Sequence, residues 1–151
     1  MSFQFPLATV LRVRGILEEQ EERLLQKILF ELTQTREALT STETRIAELD
    51  ASRRADIFKP FIGRTLHASY GEVEELKQNR KNLEEQIVKL EQLRDRQLAA
   101  YEKARQNREM LTDMHEEQRS AYESGLARLE QKAVDDNFNA RRGRHSPLGL
   151  T

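Results

Sequence analysis

The chain has 151 residues, of which 37% are hydrophobic and 34% charged, with no tryptophan and no cysteine. That is too little apolar material for a thick globular core and too much for disorder, and without cysteine neither a disulfide framework nor a cysteine-ligated metal site can form. Basic and acidic residues number 25 and 26, for a net charge of −1. No global field therefore draws nucleic acid or an anionic membrane, and no apolar run approaches the ~20 residues that span a bilayer.

The first residues, Met1-Ser2-Phe3-Gln4-Phe5-Pro6, lack the basic start and long apolar centre of a secretory signal, so a cytoplasmic location is expected. Phe5 precedes a proline and is biased toward extended backbone. Pro6 suits the first helical position, where its missing N–H would be unpaired anyway. A first helix is predicted over residues 6–58. Its apolar stripe reads Leu7, Val10, Leu11, Leu17, Glu21, Leu24, Ile28, Leu32, Thr35, Leu39, Thr42, Ile46 and Leu49. The two four-residue steps from Leu24 through Ile28 to Leu32 read as a stutter that should locally unwind a supercoil. Gly15 costs a helix about 1 kcal/mol relative to alanine, and it reads as a close approach of another backbone rather than as an end.

Phe58-Lys59-Pro60-Phe61-Ile62-Gly63 is the strong break between Pro6 and Pro147, because proline removes a donor and glycine permits positive φ. The predicted turn is 59–64. A second helix is predicted to about Asp136, starting either at Thr65, with Gly71 tolerated inside it, or at Ser69, where Ser69-Tyr70-Gly71-Glu72 has the capping-box spacing; Thr65 is the start adopted. From Leu76, steps of four and three residues land on Arg80, Leu83, Ile87, Leu90, Arg94, Gln97, Tyr101, Ala104, Arg108, Leu111, His115, Gln118, Tyr122, Gly125 and Leu129. This 3.5-residue repeat draws one stripe along a helix that at 1.5 Å per residue would run ~80 Å. Two such helices joined by a short break fold back on each other, because neither stripe has another surface to cover. Leu83, Ile87 and Leu90 are then expected against Thr42, Leu39 and Thr35 or their neighbours. Residues beyond about Gln118 are expected to overhang without a partner in the first helix. Residues 137–151, with Arg141, Arg142, Arg144 and Pro147, read as a disordered basic tail. The predicted fold is all-α: a long antiparallel two-helix coiled-coil hairpin, residues 1–136, with an overhanging second helix.

Chemistry finds little purchase here. His115-Glu116-Glu117-Gln118-Arg119 opens like a zincin helix motif, but Arg119 stands where the second histidine must be. A solvated or seam histidine is the reading adopted. His67 and His145 lie far off in sequence, and no Gly-rich phosphate loop or nucleophile–base order stands out. No catalytic residue, metal site or cofactor is expected. The three tail arginines lack interleaved aromatics for base stacking, so no nucleic-acid partner is expected. Phe58, Phe61 and Tyr70 at the break read either as a plug closing the hairpin or as an exposed contact tip. The polar stripe positions Arg80, Arg94, Gln97, Arg108 and Gln118 cannot be buried without partners. The seam is therefore part wet, and the hairpin is a shape built to be held by something else.

The two ends carry a resemblance. Phe3-Gln4-Phe5-Pro6-Leu7, then Val10-Leu11-Arg12-Val13-Arg14, resembles the opening of the FliJ family, soluble coiled-coil proteins of the bacterial flagellar type III export apparatus. Arg108-Glu109-Met110-Leu111, Gln118, Tyr122 and Glu130-Gln131-Lys132-Ala133-Val134-Asp135-Asp136 look like that family's second-helix C-terminus. The resemblance covers residues 3 to about 142. The break is more apolar than the family's loop. The resemblance implies a non-enzymatic, rotor-like stalk in the pore of the hexameric export ATPase. That stalk would couple the ring to the membrane export-gate protein and associate with export chaperones. It would stand at the cytoplasmic face of the membrane at the flagellar base, held there only through partners. On this reading the ring would be met by Arg12, Arg14, Gln118, Tyr122, Arg128, Glu130, Gln131 and Lys132, and the gate by Phe58, Phe61, Ile62 and Tyr70. The alternative is a generic coiled-coil scaffold or a prefoldin-like hairpin chaperone. The one strand-like stretch such a chaperone would need, Ile57–Ile62, is interrupted by Pro60.

Overall fold

The computed structural model describes residues 2–57 and 63–145. Two α-helices account for almost all of them: α1, Ala8–Asp56, and α2, Gly63–His145. Together they make the expected all-α antiparallel hairpin. Among the described residues there is no strand, and residues 58–62, where the break was placed, lie outside them.

The ends of the helices follow local chemistry. Residues 6 and 7 form a turn in which the Ala8 amide donates to the Phe5 carbonyl at 3.1 Å, and the Leu11 amide donates to Leu7 at 2.9 Å. Pro6 thus sits just ahead of α1, where no amide hydrogen is required. Helix α2 begins at Gly63 rather than Thr65 and runs through Gly71 without interruption. It continues to His145 rather than ending near Asp136. No proline intervenes before Pro147, and arginine and alanine propagate a helix at little cost, so nothing in residues 137–145 stops it.

The chain divides into two compact units, Leu17–Ala104 and Met1–Ile16 with Arg105–Thr151. In the first, the helices run antiparallel. Arg36 pairs with Glu91 at 3.0 Å, Arg45 with Glu72 at 3.2 Å, and Gln97 of α2 bonds Glu21 of α1. The most deeply buried side chains are Val73, 1% exposed, and Leu32, 2% exposed, joined in the core by Ile46 and Leu90. Thr35 and Thr42 are also buried, and their hydroxyls donate to the carbonyls of Glu31 at 2.8 Å and Ala38 at 2.9 Å. A threonine on the seam is therefore satisfied by its own helix, which removes the penalty of burying a hydroxyl.

Burial along α1 corrects the expected stripe. From Leu7 onward, apart from Gly15 and Asp50, the covered or half-covered positions are Leu7, Leu11, Arg14, Glu18, Glu21, Leu25, Ile28, Leu32, Thr35, Leu39, Thr42, Ile46, Leu49, Arg53 and Asp56, in unbroken steps of four and three. Val10, Leu17 and Leu24 face solvent instead. There is no stutter. Leu25, not Leu24, occupies the seam, and an unbroken heptad keeps the stripe on the partner helix. Gly15 is a second correction: a side chain there would meet nothing within 4 Å, so no neighbouring backbone requires the glycine. On α2 the expected stripe holds from Leu76 to Gly125, with Gln118 as the exposed exception.

The second unit joins the start of the chain to the later part of α2. Phe5 is its buried anchor, 7% exposed. From Leu126 to Arg144 every residue is exposed. The overhang thus starts some residues later than expected, because the segment before α1 reaches further along α2 than a helix-on-helix register would.

Candidate functional site

The residues assigned to a partner ring all fall within the unit Met1–Ile16 with Arg105–Thr151. What organises this unit is an aromatic clasp. The Phe3 ring stands 5.6 Å from His115 and 5.5 Å from Tyr122, and the Phe5 ring meets His115 edge-on at 4.9 Å and 90°. Phe3 and Phe5, two residues apart ahead of α1, thus both reach α2. On α2, His115 and Tyr122 are one heptad apart and share its seam face. Edge-to-face packing sets the positive rim of one ring against the negative face of another. His115 is accordingly a half-buried seam residue held by two phenylalanines. The clasp was not singled out in the sequence, although the Phe-x-Phe spacing before Pro6 is its signal.

The assigned residues differ in what they can offer. Tyr122 is half-buried under Phe3, so part of its surface belongs to the clasp. Arg14 is a half-buried seam residue with no hydrogen bond or ion pair among the described residues, whereas Arg12, two residues earlier, is exposed. Gln118, Arg128, Glu130 and Lys132 are exposed, as is Gln131, whose amide donates to Asp135 at 2.9 Å. Around them the α2 surface is laced by local pairs, Arg105 with Glu109 at 2.8 Å and Arg119 with Glu123 at 3.2 Å. The remaining free groups are thus a sparse, mixed-charge set along an exposed helix.

Tyr70 is the described member of the set assigned to the gate, and it lies in the unit Leu17–Ala104. Phe58, Phe61 and Ile62 lie outside the described residues. The Arg53 guanidinium sits 4.2 Å over the Tyr70 ring and pairs with Asp50 at 2.7 Å. A cation over a ring face is worth about 0.5–1 kcal/mol at such an open site. Tyr70 remains 51% exposed. With Asp50, Arg54 and the exposed Ile57 it lines a shallow groove over Arg53.

No family model, curated protein or solved structure matches this chain. Among the described residues, no helix is long and apolar enough to cross a membrane, and no three histidine or carboxylate side chains cluster closely enough to hold a metal ion.

Proposed function

We propose that this chain is a non-enzymatic, stalk-like component of a bacterial flagellar type III export apparatus, resembling the FliJ family. It would bind in the pore of the hexameric export ATPase, couple that ring to the membrane export-gate protein and associate with export chaperones. Its place would be the cytoplasmic face of the membrane at the flagellar base. One observation carries the reading: Phe3 of the N-terminal motif packs against Tyr122 of the C-terminal motif. Two stretches that resemble the family at opposite ends of the sequence thus belong to one unit. The mixed charges of Arg128, Glu130, Gln131 and Lys132 suit changing contacts with several ring subunits, where a broad apolar patch would lock the shaft. Tyr70, with Phe58, Phe61 and Ile62, would face the gate.

The test measures stimulation of the export ATPase by three chains: the full chain, a chain ending at Gly125, and a Phe58→Ser/Phe61→Ser variant. The truncation keeps Tyr122, and with it the clasp, but removes the exposed helix. It is expected to abolish stimulation, whereas the double variant keeps stimulation and loses gate binding. The reverse pattern would exchange the two assignments. A full chain without effect on the ATPase would leave the scaffold reading in place.

A further inference from the structure

Between Arg14 and Ile28, α1 is built inside out for a simple hairpin. Its seam positions Glu18 and Glu21 are charged, while Leu17 and Leu24 stand on the adjoining flank, 40% and 50% exposed. A hairpin selected only for its own stability would place those leucines in the seam. The partner helix matches the arrangement. Arg45 and Glu72 pair across this flank at 3.2 Å. Heptad steps back along α1 and forward along α2 from that pair place Leu24 and Leu17 on the same flank as Leu93 and Ala100. Leu93 is 46% exposed. The result is a shallow apolar ribbon on one side of the unit Leu17–Ala104.

The border of the ribbon is basic. Lys89, Arg96 and Lys103 follow one another at seven-residue spacing on α2, one turn from Leu93 and Ala100, and Lys27 lies one turn from Leu24 on α1. All four are exposed and make no hydrogen bond or ion pair among the described residues. The opposite flank, marked by the Arg36–Glu91 pair, carries Leu29 and Leu98, and its α2 border runs from the exposed Val88 to Asp95 and Glu102 at seven-residue spacing, with no basic residue among those three.

We propose that the Leu17–Leu24–Leu93 ribbon docks an amphipathic helix of another protein, with leucine-like residues on its seam and glutamate or aspartate on both borders. Apolar residues repeating each heptad fit a helix lying along the groove. The unpaired basic border selects an acidic one and disfavours a basic one. A second copy of this chain is a poor occupant. Pairing the ribbon with itself would oppose like charges, and pairing it with the other flank would supply only one leucine pair. The proposal stands apart from the ATPase reading, since it uses none of the residues assigned to the ring or the gate.

The probe is a fluorescent synthetic helix of about three heptads, with leucine at a and d and glutamate at e and g, so that its own charges oppose self-pairing. Binding to the full-length chain is read by anisotropy near ~0.15 M salt. The same helix with lysine for glutamate serves as a control. The glutamate helix is expected to bind and the lysine helix not. Leu24→Gln/Leu93→Gln and Lys89→Glu/Arg96→Glu/Lys103→Glu should each weaken binding about tenfold or more. Leu29→Gln, on the other flank, should leave it unchanged. All five side chains altered in the two test variants are exposed, and unchanged helix content by circular dichroism checks that each variant is folded. The proposal is overturned by equal binding of both helices, by undiminished binding to the charge-reversed chain, or by stronger binding of a single-stranded oligonucleotide. It is also overturned if the chain dimerises in sedimentation and Leu24→Gln/Leu93→Gln restores the monomer.

Discussion

Gln97 of α2 donates its side-chain amide to the backbone carbonyl of Glu21 on α1, 3.0 Å away, and also bonds the Glu21 carboxylate. Both residues are half-buried. The contact shows how a seam with few apolar residues is held. A polar side chain at a stripe position gains a partner that only the antiparallel register provides. Such a contact stabilises by about 0.5–1.5 kcal/mol, somewhat more when one group is charged.

Gln97→Ala should therefore destabilise by about 1–2 kcal/mol. A double-mutant cycle with Glu21→Ala in urea unfolding should return a coupling of about 0.5–1.5 kcal/mol. Additive effects would mean that the two side chains do not interact in solution.

The register of α1 is tested by neighbouring leucines. Leu25 is on the seam and Leu24 is half-exposed. Leu25→Ala should cost about 2 kcal/mol and Leu24→Ala under about 1 kcal/mol, with Leu32→Ala costlier than either at about 3–4 kcal/mol. Thermal or urea midpoints give the order. A greater loss at Leu24 than at Leu25 would restore the stutter.

The clasp should behave as a local device. Phe5→Ala removes the buried anchor, so trypsin should cut after Arg12 and Arg14 several times faster, as read by mass spectrometry. Local opening of this kind need not carry the global transition with it. The midpoint should accordingly shift less than for Leu32→Ala. Unchanged cleavage would show that the N-terminal segment is held by something other than Phe5.

Arg36 and Glu91 pair across the helices at 3.0 Å with side chains 51% and 40% exposed. Arg36→Ala should cost only about 0.2–1 kcal/mol. That difference should shrink as salt rises from ~0.01 M to ~1 M and the Debye length falls from ~30 Å to ~3 Å. A loss above 2 kcal/mol, insensitive to salt, would show that the pair is better shielded than its exposure implies.

Two helices, the absence of a helix break between Ala8 and Asp56, and the α2 stripe from Leu76 to Gly125 are legible in the residues alone. A 3.5-residue repeat carried through polar positions such as Arg94 and Gln97 has one helical solution, and burial follows it at every stripe position but Gln118. The rest depends on how the helices pack. Leu24 and Leu25 are equally apolar and about 100° apart around the helix, so only the partner helix chooses between them, and it chose the register that puts Glu21 against Gln97. Gly15 shows no spatial need for glycine, since the space around a residue is not written in its own helix. The end of α2 moved to His145 because a polar composition weakens a helix without stopping it. Phe3 and Phe5 lie ahead of α1, outside any helical repeat. Their place on His115 and Tyr122 exists only once the chain has folded back on itself.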